Sequence, residues 1–153
     1  MKNIGYILLL FIGTIVNAQS KHSDFERFYR GDEKYFKPIK YVLFDENKND
    51  KKDEGDEIYF YINNQRFFFN SKKHKIDTCS IDFFNKIKLE NPTDLTENEW
   101  EYFKRKVREY KRNLAIKAMP LSNVHKYFKV YILKKTNDNK VLKYEVDWLN
   151  RPL

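Results

Sequence analysis

Residues 95–118 read LTENEWEYFKRKVREYKRNLAIKA, and their spacing predicts one long amphipathic helix that the rest of the chain must cover. Trp100, Phe103, Val107, Tyr110 and Leu114 recur at steps of three and four, so they share one helical face. Thr96 is a suitable N-cap, Glu99 completes a capping box three residues on, and Leu95 with Trp100 occupies the hydrophobic-staple positions. Glu97, Glu99 and Glu101 crowd the first turn while Lys111, Arg112 and Lys117 crowd the last, as the helix macrodipole favours. Pro120 then bars continuation.

On either side of this helix the pattern changes to period two. Ile39–Phe44, Ile58–Ile62 and Gln65–Asn70 read as strands. Asn63-Asn64 is a two-residue hairpin turn, because Asn tolerates positive φ. That turn fixes a register: Ile62 opposite Gln65, Phe60 opposite Phe67, Ile58 opposite Phe69. Those residues form the expected core face, and Tyr59, Tyr61, Arg66 and Phe68 form the other. Lys126–Lys135 and Lys140–Trp148 make a second hairpin around the turn 136–139. Ser23–Arg30 is a short helix ended by Gly31, and Ser80–Lys88 a short helix or bent strand before the break at Asn91-Pro92. Ser71–Thr78 reads as a Lys-rich connection. The predicted fold class is α+β: a single antiparallel sheet of about five strands, built from two hairpin groups, packed against one long amphipathic helix with one or two short helices.

Met1–Ala18 carries Lys2, an apolar run Ile4–Val16 and a Val16-Asn17-Ala18 cleavage signature, which predicts a secretory signal peptide. The run is short for a membrane span, so a lasting N-terminal anchor is the less favoured alternative. The expectation is a single domain over residues 19–153, exported to a periplasm or beyond the cell, with no stable membrane insertion after cleavage. Cys79 is the only cysteine, so no internal disulfide forms; it reads as a small buried hydrophobe.

The formal net charge is +8. Lys supplies most of it, and Arg, the better bidentate phosphate ligand, is not enriched. Nucleic acid is therefore not the expected partner; a protein or envelope component is. Two candidate binding surfaces emerge. One is the Tyr59, Tyr61, Arg66 and Phe68 face, where Tyr and Arg supply anchors, although a second face buried under a helix or loop is the plainer reading. The other is the basic side of the long helix, Lys104, Arg105, Arg108, Lys111 and Arg112, for which a solvated face with i,i+4 pairs is the plainer reading. The segment Asp45–Glu57 reads as a charged loop in which Asp45, Asn47 and Asn49 match the first oxygen-ligand positions of a calcium loop, with Asp56 at the twelfth. It lacks the turn glycine at position six and the bidentate Glu, and three lysines lie inside it, so a solvated loop is favoured over a calcium site. His22, His74 and His125 stand at no metal-ligand spacing and read as exposed loop residues. No family signature stands out. The functional expectation is an exported, non-catalytic binding protein without a cofactor. The alternatives are a small secreted hydrolase, possibly a nuclease, joining a His to carboxylates, and a weak calcium-binding domain.

Overall fold

The computed structural model describes residues 24–32, 37–112 and 119–150. The segment Met1–Ala18, read from the sequence as a signal peptide, lies outside them, as do His22 and Leu114. The described residues fall into two compact units. One holds the helix α1 (24–30), the chain from Lys104 to 112, and residues 119–120; the other holds 37–103 and 121–150.

In the first unit α1 ends as its sequence dictates. Gly31 takes φ 68°, its N–H reaches the Phe28 carbonyl at 2.8 Å, and the Asp32 N–H reaches Arg27 at 2.9 Å. This is a Schellman cap on the residue type that suffers no Cβ clash there. Phe25 and Phe28 are buried and pack on Tyr110, with ring centroids 5.7 and 6.0 Å away.

The second unit is a seven-stranded mixed sheet with helices. Its elements run β1 (Ile39–Phe44), β2 (Asp50–Glu54), β3 (Glu57–Ile62), β4 (Gln65–Asn70), β5 (Ile76–Ser80), α2 (Ile81–Lys86), a 3-10 turn (Pro92–Asp94), the start of α3 (Leu95–Glu109), β6 (Lys129–Lys135) and β7 (Lys140–Leu149). Strand order is β1-β6-β7-β4-β3-β2, with β5 also on β7. The ten-residue β7 organises this arrangement. Along one edge it pairs with β6. Along the other, its first half pairs with β5 and its last residues with β4.

Three expectations need correction here. The sheet is not all antiparallel, because β1 runs parallel to β6 from Ile39↔Lys129 to Phe44↔Lys134. A parallel pair requires a long crossover, and the chain between β1 and β6 supplies it. The 45–57 segment is not all loop, since β2 adds to β3 from Asp50↔Tyr61 to Glu54↔Glu57. Nor is 71–78 merely a connection: β5 opens at Ile76.

The long helix is also shorter than its pattern. Asn91 caps the 3-10 turn, accepting from the Thr93 N–H, and α3 follows directly at Leu95, so Thr96 is not the cap. At the other end Lys111 takes φ 56°. Its N–H bonds Arg108 at 2.9 Å and the Arg112 N–H bonds Val107 at 3.0 Å. That is again a Schellman cap, but with lysine at the left-handed position. Replacing Lys111 by Gly should relieve that strain and raise stability by about 0.5–1 kcal/mol, less than the full left-handed penalty because Gly also loosens the unfolded chain; a urea titration of wild type and variant measures it.

The Phe60/Phe67 register is as the Asn63-Asn64 turn dictates, with φ 47° and 64° at the two asparagines. Phe60, Ile62, Phe67 and Phe69 join Val42, Phe44, Val130, Ile132, Tyr144, Val146 and Trp148 in one buried cluster. Phe44 on β1 meets Phe60 on β3 with centroids 5.2 Å apart. Four strand steps of about 4.8 Å separate those strands in a flat sheet, so the sheet curls and this cluster fills its concave side. Leu95 completes the cluster, with Tyr102 packed against it, and Phe103 is fully buried. On the convex side α2, capped by Ser80, sets Phe84 over Leu133 and Val141, with half-buried Cys79 beside them.

Candidate functional site

The strand registers place the side chains of the convex face in transverse rows. One row runs Asp50 on β2, Tyr61 on β3 and Arg66 on β4; the next runs Lys52, Tyr59, Phe68 and Asp147. All four residues of the aromatic–cationic face named from the sequence therefore lie together on one surface. Tyr59 and Phe68 are half-buried with ring centroids 5.0 Å apart. Burial, with Glu57 beside it, raises the Tyr59 hydroxyl above its usual range, against a smaller opposing pull from Arg66. Tyr61 is 40% exposed.

The first row opens into a cleft of about 490 Å³ at the tip of the β3–β4 hairpin, lined by Lys48, Asp50, Tyr61, Asn63, Asn64, Gln65 and Arg66. The Arg66 Nε–H is buried with no acceptor. The Gln65 Oε1 already accepts the Trp148 indole N–H at 3.0 Å; because an indole only donates, the amide NH₂ of Gln65 is the group left for other partners. Lys48 is held 3.6 Å from Asp45.

Behind the cleft lies a buried polar pair that the sequence did not announce. Glu99, only 1% exposed, sets Oε2 at 2.5 Å from His125 Nδ1 and accepts the Tyr127 backbone N–H on Oε1 at 3.0 Å. The His125 ring stacks on Trp148 at 3.5 Å with planes 11° apart, and its backbone N–H bonds the Trp148 carbonyl. His74 accepts the Asn70 N–H at 2.9 Å on Nδ1 and stands 3.4 Å from Asp147 on Nε2. The expectation of exposed loop histidines fails for both described histidines, whose side chains are 12% and 10% exposed, because each satisfies backbone or carboxylate groups in the packed structure. Neither lines the cleft.

The helix basics remain a surface. Arg105, Arg108, Lys111 and Arg112 are exposed and Lys104 is half-buried; the Arg112 guanidinium sits 5.9 Å from the Phe25 ring centroid. The calcium-loop residues are drawn into local bonding instead. Asp45 Oδ1 accepts the Asn47 N–H, and Asn49 Oδ1 accepts the Asp45 N–H. Asp56 lies beyond the far end of β2, bonded to Ser71 and Lys72, which lower its pKa. β2 thus stands between the first three positions and the fourth, and among the described residues no three His, Cys, Asp or Glu side chains gather around a common point.

Lys48, Asp50, Asn63, Asn64 and Gln65 line the cleft although the sequence singles out only Tyr61 and Arg66 as binding residues. Asp50 sat inside a segment read as loop, and the strand pairing that sets it beside Tyr61 is visible only in the fold. Comparison of the chain with protein-family models, with curated proteins and with solved structures finds no match.

Proposed function

We propose that this chain is an exported binding protein that holds its partner on the convex face of the curled sheet, centred on Tyr61 and Arg66. The carrying observation is the half-exposed Tyr61 ring beside an arginine whose Nε–H is buried without an acceptor, both in an open cleft. An exposed aromatic beside an under-used guanidinium is the composition of interface anchors. Rigid strands, rather than a loop, hold both groups, so little ordering cost attends binding. The Met1–Ala18 leader supports export, and no described helix is long and apolar enough to cross a membrane.

Immobilised wild-type protein and the variants Tyr61→Ala and Arg66→Ala, passed over the envelope fraction of the source cells, test this reading. Loss of either anchor should deplete the retained species at least about tenfold. Retention of the same species in the same amounts by all three proteins would remove this face from consideration.

A further inference from the structure

We infer that the cleft takes a short ampholytic peptide segment, lying extended across Tyr61 with an acidic side chain at Arg66 and a basic one at Asp50. This rests on the binding reading above and adds the chemistry of the ligand.

Asp50 and Arg66 flank Tyr61 in one transverse row. Two strand steps set their backbones about 10 Å apart. Other charges on this sheet find opposite partners: Lys52 with Glu54 at 2.5 Å, Lys129 with Glu145 at 2.9 Å, Lys143 with Asp77 at 3.1 Å. Among the described residues Asp50 and Arg66 have none, and the Arg66 Nε–H has no acceptor at all. Two opposite charges thus line the cleft with an exposed ring between them, beside a second cation, Lys48, that stands 3.6 Å from Asp45.

A ligand that neutralises both must carry an anion and a cation a similar distance apart. In an extended peptide, residues i and i+2 point the same way about 7 Å apart, and the reach of Glu and Lys side chains makes up the difference. Their intervening peptide plane lies over Tyr61. A chain of one sign, such as a nucleic-acid strand, satisfies Arg66 and Lys48 but meets Asp50 with like charge, so the row disfavours it.

The test is an NMR titration of the ¹⁵N-labelled protein with the blocked tripeptides acetyl-Glu-Ala-Lys-amide, acetyl-Glu-Ala-Glu-amide and acetyl-Gln-Ala-Gln-amide. The ampholytic peptide should move the amides of Tyr61 and Arg66 and the Trp148 indole N–H, which Gln65 links to the cleft. The neutral peptide should bind about tenfold more weakly, as the loss of two exposed charge pairs implies, and the acidic one more weakly than the ampholyte. Arg66→Glu and Asp50→Lys should each abolish the preference. The double variant Asp50→Lys/Arg66→Glu should regain it, with the ligand turned end for end. Far-UV circular dichroism establishes that each variant is folded. Equal binding of the neutral peptide, stronger binding of the acidic one, or a folded double variant as weak as the single ones overturns the inference. Failure of the peptides while capture still depends on Tyr61 and Arg66 rejects the ligand chemistry alone; failure of both rejects the binding face itself.

Discussion

Replacing Glu99 by Ala should cost about 3–5 kcal/mol of folding free energy, because it strands two buried hydrogen-bond partners and empties packed space. The ordinary stability of a domain is only about 5–15 kcal/mol, so this one carboxylate decides much of whether the chain folds. The reason is that both oxygens are committed. Oε2 meets His125 Nδ1 at 2.5 Å, and Oε1 holds the Tyr127 N–H just ahead of β6. Truncation strands two polar groups, each at about 1–3 kcal/mol when left without a partner, and leaves a void on the buried helix face. Glu99→Gln separates charge from connectivity. Its carbonyl can keep the Tyr127 bond and its NH₂ can donate to a His125 tautomer with a bare Nδ1, so its cost should be about 1–2 kcal/mol. Urea titrations of the three proteins give the comparison. An Ala variant within about 0.5 kcal/mol of wild type would show that the pair is ornamental.

Glu99 also shows what the sequence did and did not disclose. It lies four residues before Phe103 and eight before Val107, on the stripe those two bury. A charged residue on an apolar stripe signals a buried partner, yet the capping-box reading gave a local explanation that hid it. The β3–β4 hairpin was legible in full because its information is local: alternation sets the faces and Asn63-Asn64 sets the register. The parallel β1–β6 pair was not legible, because neither segment carries a mark of a partner so distant in the chain. β2 was hidden for a different reason. Its DKKDE is exposed throughout, as suits an edge strand blunted by charge against further pairing, and such a segment has the composition of a loop. The end of α3 went unseen because Lys111 fills a place where Gly or Asn would have announced a stop. The same divide runs through the cleft. Tyr61 and Arg66 were readable from the hairpin alone, whereas Asp50 became their neighbour only through β2.

The curl of the sheet explains why these neighbours hold still, and Phe60 is where the curl can be tested. Its ring is 1% exposed and lies 5.2 Å from Phe44 on β1 and 5.2 Å from Tyr144 on β7. It therefore ties β3 to a strand that a flat sheet would place about 19 Å away. Phe60→Ala should cost about 3–5 kcal/mol, the range for deleting a buried ring into a site that cannot collapse. Phe60→Leu keeps most of the volume and should cost about 1.5 kcal/mol or less. Bulk stability alone would not establish the role assigned to this ring; hydrogen exchange does. In the Ala variant the β2 and β3 amides should exchange faster than those of β6, because β2 and β3 form the outer end of the strand order and lose their contact across the concave side. Tyr61 follows Phe60 on β3, so the Ala variant should also bind the ampholytic peptide more weakly although no cleft residue has changed, while the Leu variant should bind as wild type does. Uniform loss of protection across all seven strands would mean that the curl is maintained by the core as a whole and that Phe60 is one contributor among many.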